Sequence, residues 1–365
     1  MKKNMSSLEV HYLLKELSFL IDQKIDKIYH PEKDELIIRF HVAGVGKAVL
    51  KIMAGNFLYL TKSVEDQKDP SGFCMFLRKY LANARLRQIN QLESERIVEF
   101  VFEKADYKKR LIVELFSQGN ILLTDEKYVI LTAIEYHKWK DREIRPKLIY
   151  EYPKKPVNFF NLDNLNMLKS SDKATIVKAL AIDLGLGGTY AEEICLMSKT
   201  DKNLNPHEVK DLNNLVDAIN KIQKFKIDAK IIFKNEEMVD VVPFNMKIYD
   251  NMHKVDMPSF SEGLDEFLSS KREVEKSPKQ KQIEKIQRII LSQERKIEEL
   301  KEKQVNESKK AEIIYSNYKL IEDIFLQIKV ATKKYSWTEI KDKLKGHKVI
   351  KELNIKDKVI KLELD

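Results

Sequence analysis

The segment 70–102 changes its hydrophobic period halfway along, and this change limits the folds open to the chain. In its second half polar and apolar residues alternate, and Val98, Phe100 and Phe102 share one face of a strand. In its first half apolar side chains recur every three or four positions, as on one face of a helix: Phe73, Phe76, Leu77, Tyr80 and Leu81. The segment therefore predicts a helix that runs into a strand through the polar turn 91–95.

Several cations lie off the apolar stripe of this helix or just beyond it. They are Arg78, Lys79, Arg85 and Arg87. Together they predict a basic edge on the helix, next to the charged turn, where a phosphate backbone can be held. We therefore take these four side chains as candidate contacts to an RNA backbone.

The sequence of this segment, PSGFCMFLRKYLANARLRQINQLESERIVEF, resembles the N-terminal region of the NFACT family. This family comprises ribosome-associated quality-control factors, among them bacterial RqcH and eukaryotic NEMF, and its members also carry the name fibronectin-binding protein A. Three further segments, at 5–17, 112–125 and 184–195, fit the family pattern in sequence order. The resemblance covers about the whole chain. It implies that the family's C-terminal RNA-binding domain would follow residue 365.

The composition favours a cytosolic protein with a polyanionic partner. The 365 residues, 43% of them hydrophobic, suit two or three domains with real cores. Lys and Arg number 66 against 57 Asp and Glu, which favours nucleic acid, although a charged fraction of 34% also suits salt-bridged helices. Cys74 and Cys195 lie within apolar periodicity, as reduced core residues do. Without an apolar run of ~18 residues or a secretory signal, we expect a cytoplasmic protein and no membrane contact.

Strand and turn signals divide the chain into five segments. Residues 1–160 carry roughly eight short strands and two helices, which predicts an α+β fold: a β-sandwich or flattened barrel with helices at its rim, similar to the N-terminal domain of the glycosylases. Residues 161–228 are predicted to be helical, and 229–270 to be a strand-bearing return to the first domain. A coiled-coil helix is predicted over 271–330, followed by a small α/β tip over 331–365.

A glycine-rich junction, 185–188, separates two helices of the second segment. It resembles the helix–two-turns–helix of the formamidopyrimidine-DNA glycosylases. Glycines at such a junction let the backbone approach a phosphate and let free N–H groups face it. Gly187, Gly188 and Thr189 are therefore further candidate contacts to an RNA backbone. In the alternative interpretation Thr189 only caps the second helix.

The resemblance also implies a tRNA-facing site made of Glu9, Glu95 and Arg96, where the family has aspartate at both acidic positions. Glu9 has a second interpretation, because the first turn of a helix favours a carboxylate. Glu95 and Arg96 would point to opposite faces of an extended strand, so both serve one site only if the chain bends at Ser94. The alternative there is a solvated hairpin.

The segment 138–155 is a basic connector with Trp139, Tyr150 and Tyr152 interleaved among its cations. Aromatic side chains in such a setting can stack on unpaired bases. In the alternative interpretation they pack the connector against the first domain. The residues alone leave both open.

From residue 279 onward apolar residues repeat every seven positions, which predicts a coiled coil. Gln293, Gln304 and Glu307 interrupt the repeat. The resemblance implies a helical hairpin whose returning helix this chain does not include, so we expect an exposed apolar seam that pairs with a second copy or with another chain. The seam residues are Ile283, Ile286, Ile290, Ile297, Leu300, Ile314, Ile321 and Phe325.

Three function classes are compatible with parts of the sequence. A DNA glycosylase uses an N-terminal proline followed by glutamate and usually a four-Cys zinc finger, whereas this chain begins Met1-Lys2-Lys3 and has only 2 Cys. A fibronectin-binding adhesin lacks support from a signal peptide, a repeat array or a wall anchor. We therefore expect no enzyme, no catalytic residue, no metal and no cofactor. The resemblance implies a factor that binds the large ribosomal subunit, through its rRNA, with stalled peptidyl-tRNA, and recruits tRNA, often alanyl-tRNA, for tailing without mRNA.

Overall fold

The computed structural model describes residues 2–44, 46–63, 69–105, 107–139, 142–153, 157–162, 164–274, 278–355 and 359–364. The side chains of 271–285, 287–289, 291–292, 294–295, 298 and 302 lie outside this description as well. The chain divides into two compact units, Met1–Val274 and Glu275–Asp365. The predicted segments 1–160, 161–228 and 229–270 all lie within the first unit.

The first unit is built on one antiparallel sheet of nine strands, in the order β4-β3-β2-β1-β5-β6-β7-β8-β9. The strands are β1 (Lys24–Tyr29), β2 (Glu35–Val42), β3 (Gly46–Met53), β4 (Phe57–Leu60), β5 (Arg85–Gln91), β6 (Ile97–Lys104), β7 (Tyr107–Glu114), β8 (Asn120–Asp125) and β9 (Ile130–Ala133). A separate two-stranded hairpin follows, made of β10 (His137–Lys138) and β11 (Glu143–Ile144). The α+β class with a large antiparallel sheet is thus confirmed.

The sheet bends back on itself, as the contact between two turns near its opposite edges shows. Gly55 lies after β3 and Gly119 before β8, and in a flat sheet β3 and β7 would be about 24 Å apart. Instead the Gly55 N–H donates to the Glu114 carbonyl at 2.9 Å. A Cβ on Gly119 would lie only 1.8 Å from the Gly55 nitrogen, so no larger residue fits. The predicted β-sandwich or flattened barrel is thus one continuous sheet whose two halves face each other.

The main core lies between these halves. Val98, Phe100 and Phe102 of β6 pack with Ile38 and Phe40 of β2, each no more than 1% exposed. The face predicted from the alternation in β6 is therefore confirmed. The rings of Phe40 and Phe102 lie 6.5 Å apart, so the two halves meet through aromatic contact.

In the chain, helix α1 (Ser7–Glu16) precedes the sheet, and α2 (Gly72–Leu81) lies between β4 and β5. The α2 helix ends earlier than the predicted basic edge requires, because Asn83 has a φ of 61° and left-handed residues do not continue a helix. Arg85 and Arg87 therefore lie on β5, which corrects their assignment to the helix edge. The strand is hard to predict because its seven residues, RLRQINQ, contain only Leu86 and Ile89 as apolar side chains.

A second core of the first unit is helical. It contains α3 (Ile176–Ile182), α4 (Gly188–Met197) and α5 (Asn213–Ile222). Helix α1 serves both cores: Leu8 and Tyr12 pack in the helical core, whereas Val10 and Leu13 pack in the main core. This sharing explains why the predicted segments form one compact unit.

A three-stranded sheet joins the same two cores. Its strands are β12 (Lys230–Lys234), β13 (Glu237–Val242) and β14 (His253–Asp256), in the order β13-β12-β14, and α6 (Phe260–Val274) follows. Ile231 and Val241 pack in the main core, and their neighbours Ile232 and Val242 pack in the helical core. Because side chains alternate across a strand, one sheet closes both cores.

The second unit contains α7 (Pro278–Ser316), α8 (Tyr318–Ala331), α9 (Trp337–Lys343), β15 (Ile350–Asn354) and β16 (Val359–Leu362). The predicted single long helix is interrupted at Asn317, whose side chain and backbone N–H both donate to the Ile313 carbonyl, at 3.0 and 3.1 Å. Ile324, Ile328 and Ile350 form a small core. None of the described helices is long and apolar enough to cross a membrane.

The predicted apolar seam is exposed on α7 where its side chains are described. Ile286, Ile290, Ile297, Leu300 and Ile314 are 46–56% exposed, and Phe325 on α8 is 57% exposed. Ile321 is half-buried, and the side chain of Ile283 lies outside the described residues. Pairing of this seam with another helix stays a prediction.

Candidate functional site

A cleft of about 460 Å³ opens where the segment before α1, the start of α4 and strand β13 come together. We call it the α1–α4 cleft. Its walls include Lys2, Lys3, Ser6, Glu9, Gly187, Gly188, Thr189, Tyr190, Lys234, Asp240 and Tyr249. It therefore brings together Glu9 and the glycine junction, two predicted sites that are far apart in the sequence.

Glu9 is 2% exposed, and both of its carboxylate oxygens are occupied. Its Oε1 accepts hydrogen bonds from Lys2 Nζ at 2.5 Å and from the Tyr190 hydroxyl at 2.8 Å. Its Oε2 accepts from the Ser6 N–H at 2.8 Å, while the Ser6 hydroxyl accepts from the Glu9 N–H, which completes a capping box. The first-turn interpretation of Glu9 is therefore confirmed.

Lys2 is the cation at the centre of this network, and its side chain is only 6% exposed. Besides Glu9 it donates to Asp240 Oδ1 at 2.9 Å and to the Val241 carbonyl at 3.0 Å, so all three ammonium protons have acceptors. Burial lowers the pKa of Lys2, but the charges of Glu9 and Asp240 outweigh that effect and raise it overall. Burial raises the pKa of Glu9, and the positive charge of Lys2 opposes that shift.

Two tyrosines complete the network as hydrogen-bond donors. The Tyr249 hydroxyl donates to Asp240 Oδ2 at 2.6 Å, next to the Tyr190 hydroxyl on Glu9. Burial, reinforced by the nearby carboxylates, raises the pKa of both tyrosines well above its usual value. Both phenols therefore stay protonated and hold the carboxylates in place.

The start of α4 forms another wall of the cleft. Gly187, with a φ of 81°, occupies the cap position, and among the described residues no side chain caps the helix. The N–H groups of the first turn thus have no intrahelical acceptor. Thr189 lies inside the helix, so the interpretation that it caps α4 is wrong.

Glu95 and Arg96 lie in the turn before β6, so the opposite-face condition of a strand does not apply to them. The turn is packed against α1: the Ser7 hydroxyl donates to the Ser94 carbonyl at 2.6 Å, and Glu95 is 6% exposed. The alternative interpretation, in which this turn is a solvated hairpin, is therefore wrong. Burial lowers the pKa of Arg96, while the charges of Glu95 and Glu9 favour its charged form. The structure thus brings Arg96 near both acids, although Glu95 and Arg96 do not line the cleft.

The four predicted cations around α2 mostly bind the protein itself. Arg78 donates to the Ile28 carbonyl at 2.6 and 2.8 Å, and Arg85 donates to the Asp22 carbonyl. Arg87 binds Asp22 at 2.6 Å and Glu103 at 2.5 Å. Lys79 is exposed, with its ammonium 5.4 Å from the ring of Tyr80.

The cations that line the cleft and reach solvent are instead Lys3 and Lys234, which sequence reasoning missed. Lys234 approaches the cleft because β12 and β13 return to the segment before α1, where the Lys2 N–H donates to the Val239 carbonyl at 2.9 Å. The return of 229–270 was predicted, but the local pattern does not indicate which of its side chains meets the cleft. Among the described residues no group of three His, Cys, Asp or Glu side chains can hold a metal ion. Cys74 and Cys195 are free and buried, as predicted.

The aromatic residues of the connector were predicted either to stack on bases or to pack against the first domain, and they differ in exposure. Tyr150 is 5% exposed and donates to Glu114 at 2.8 Å, so it packs against the sheet. Trp139 is 48% exposed. Residues 140–141 and 154–155 of the connector lie outside the described residues.

Comparisons with known proteins agree with the resemblance. Residues 6–361 match the family described as NFACT N-terminal and middle domains. The chain is 32% identical to the archaeal Rqc2 homolog aRqcH of Methanocaldococcus jannaschii, over 95% of this chain and 55% of that protein. It is 25% identical to the human ribosome quality control complex subunit NEMF, over 93% of this chain and 35% of that protein. The chain thus spans about half the length of the first relative and about a third of the second.

Two solved structures are similar to about three quarters of the chain. One is the N-terminal part of the fibronectin/fibrinogen-binding protein from Streptococcus suis, with a TM-score of 0.60 and 22% identity, covering 73% of this chain and 100% of that one. The other is the fibrinogen-binding protein from Staphylococcus aureus, with a TM-score of 0.59 and 18% identity, covering 72% and 98%. At these identities the likeness shows the fold alone.

Proposed function

The chain belongs to the NFACT family, and on this premise we propose that it is a ribosome-associated quality-control factor. It binds the large ribosomal subunit that carries stalled peptidyl-tRNA, and it recruits tRNA so that residues are added to the nascent chain without mRNA. In this proposal the ribosome performs peptide transfer, and the chain catalyses no reaction but positions RNA. It acts in the cytoplasm, where these partners are. The two relatives named above as Rqc2 and NEMF proteins support this proposal.

The observation that carries the proposal is the combination of groups in the α1–α4 cleft. Free N–H groups at the start of α4 and the hydroxyl of Thr189 lie beside the exposed cations Lys3 and Lys234. A helix N-terminus with nearby cations binds phosphate through its N–H groups and its dipole. Three lysines face two carboxylates in the cleft walls, so the charge balance there is slightly positive. The cleft therefore suits a phosphate of an RNA backbone.

The acidic residues have a supporting role in this proposal. Glu9 is only 2% exposed, and its oxygens already accept from Lys2, Tyr190 and Ser6, so the proposal gives Glu9 no direct contact with tRNA. Glu9 instead holds Lys2 and the start of α1 in the position that shapes the cleft. Arg96 is the member of the predicted tRNA-facing set that can reach a phosphate, because its guanidinium is only partly buried.

Salt dependence of RNA binding tests the cleft. Each lost phosphate contact lowers the slope of log K against log[salt] by roughly 0.7–0.9. We expect the double variant Lys3→Gln/Lys234→Gln to flatten the slope for large subunits and for tRNA by one to two such contacts, because both side chains are exposed in the cleft. The matched control is Lys79→Gln/Arg87→Gln, which removes the same charge from the surface of α2 and β5.

A flattened slope in the control with an unchanged slope in the cleft variant would move the RNA surface to α2 and β5. A third variant, Arg96→Ala, tests the predicted tRNA-facing set. If it leaves tRNA binding and its salt dependence unchanged, that assignment is wrong.

We also propose that the exposed seam of α7 pairs with an apolar helix, supplied by a second copy or by another chain. Burying one side chain of this size contributes roughly 1.5–3 kcal/mol, so an unpaired seam of five described residues is costly in water. Gln293, Gln304 and Glu307 would fix the register of that pairing. Sedimentation equilibrium distinguishes the two partners. Self-association would show that a second copy covers the seam. A clean monomer at tens of micromolar, with its helices folded, would exclude a second copy as the partner.

A further inference from the structure

A second cavity, of about 380 Å³, lies where the β7–β8 turn meets the β10–β11 hairpin. We call it the Trp139 cavity. Its volume is within the roughly 300–1,000 Å³ that small-molecule sites occupy. The lining residues that matter below are Glu114, His137, Trp139 and Arg142. It is separate from the α1–α4 cleft, because the two share no lining residue.

Glu114 is a buried carboxylate with one oxygen in use. Its side chain is 4% exposed, and its Oε1 accepts from both Arg142 Nη2 and the Tyr150 hydroxyl. No described residue donates a hydrogen bond to its Oε2. Burial raises the pKa of Glu114, which reflects how costly an incompletely solvated carboxylate is at this place. A donor from outside the chain would satisfy that oxygen.

Trp139 supplies an open aromatic surface beside this carboxylate. The Arg142 guanidinium lies 5.1 Å from its ring centroid, and the His137 ring lies 4.9 Å away at an angle of 37°. These neighbours orient the indole, yet 48% of the residue is exposed. The buried Nε–H of Arg142 finds no acceptor among the described residues. A residue that served only packing would be covered, as Tyr150 is.

The chemistry of these groups limits the ligand. An occupant must be planar to stack on Trp139, and it must carry a donor for Glu114. A phosphate group is excluded, since it would face the carboxylate. Lys138 and Lys147 are exposed on and beside the hairpin, where Glu135 and Glu143 also lie, so these two lysines are the cations that an RNA backbone can meet.

We propose that the Trp139 cavity binds one unpaired RNA base that carries an exocyclic amino group, with the base stacked on Trp139 and its amino group donating to Glu114 Oε2. Adenine, cytosine and guanine have such an amino group, and a carboxylate accepts from it in base recognition. Uracil has no exocyclic amino group: its one edge donor, N3–H, lies between two carbonyl oxygens that the carboxylate repels. This inference rests on the proposed RNA-binding function and adds a base preference to it.

The test uses the full chain with Trp337→Phe, which leaves Trp139 as the single tryptophan of the 2 in the sequence. Fluorescence titration with oligocytidylate, oligoadenylate and oligouridylate of equal length reports stacking as quenching. We expect the first two to bind several-fold more tightly than oligouridylate. Trp139→Ala, read by anisotropy of labelled oligomers, should lose roughly five- to hundredfold in affinity, while Trp139→Phe keeps most of it.

Glu114→Gln tests the preference itself: it should bring oligouridylate close to oligocytidylate, because the repulsion disappears. Trp139 is exposed, so we expect its variants to fold. They therefore test base binding in the cavity even if Glu114→Gln does not fold. Equal binding of all oligomers, or affinity unchanged by Trp139→Ala, overturns the cavity proposal. Binding of large subunits and its salt slope are measured on the same variants, and their persistence in that case leaves the proposed function standing. If the unmutated chain does not bind large subunits, the proposed function itself is overturned.

Discussion

Glu9 and Glu114 are built alike and differ in one oxygen. Each is a buried carboxylate that accepts from one cation and one tyrosine hydroxyl: Lys2 and Tyr190 for Glu9, Arg142 and Tyr150 for Glu114. At Glu9 the second oxygen accepts from a backbone N–H of the helix start. At Glu114 the second oxygen accepts from no described residue. We call the arrangement at Glu9 closed, because both oxygens accept hydrogen bonds, and the arrangement at Glu114 open, because one oxygen does not.

The position of each residue in its element explains this difference. Glu9 is the third residue of α1, where helices leave free N–H groups that a carboxylate can accept from. Glu114 is the last residue of β7, where the sheet takes up the backbone N–H groups. A buried carboxylate whose oxygens are all occupied stabilises the fold, and one with an open oxygen can in addition recognise a ligand.

The largest expected effect tests the closed network. Lys2→Met leaves Glu9 and Asp240 buried without their cation, and breaking a buried pair costs about 3–5 kcal/mol. We expect a loss of that size in the free energy of unfolding, measured by urea denaturation with circular dichroism. Lys3→Met is the matched control: Lys3 is exposed, so the change should stay within about 0.5 kcal/mol. Equal stability of the two variants would mean that the network contributes nothing.

A smaller effect compares the two carboxylates directly. In Glu9→Gln the amide NH₂ must face a donor, because all the oxygens of Glu9 accept hydrogen bonds, so we expect a loss of about 2–3 kcal/mol. In Glu114→Gln the oxygen keeps Arg142 and Tyr150, and the NH₂ takes the place of the open Oε2, so the loss should be about 1 kcal/mol. The same urea titration measures both. Equal losses would contradict the open oxygen.

The smallest effect is a pH dependence. Burial raises the pKa of Glu114 above its usual value of 4.5, so the folded chain binds this proton more readily than the unfolded chain does. The stabilising contribution is fully present below the usual value and is lost as the pH rises through the raised value. The wild type should therefore gain stability relative to Glu114→Gln as the pH falls from 7 towards 4.5. Urea titrations across that range check the sign, and a flat difference would contradict the raised pKa.

The sequence predicted what local pattern encodes. The buried face of β6, the capped start of α1 and the helix boundary at the glycines before α4 all follow from residues close together in the chain. Contacts between distant residues leave no such trace. Arg78 binds a carbonyl fifty residues away, and Lys2 binds an acid 238 residues away. For this reason the local pattern predicts an RNA surface from cations that also bind the protein itself, and it does not indicate Lys234.

The strand pair β12–β13 has a consequence for how the chain is made. Its side chains close the main core on one face and the helical core on the other, and the pair comes late in the sequence. During synthesis from the N-terminus, α1 and the large sheet emerge long before the strands that seal them. Both cores thus stay open to solvent until the segment around residue 242 has left the ribosome. A chain released before that point presents two unsealed apolar surfaces at once, which makes it prone to aggregate and a substrate for chaperones.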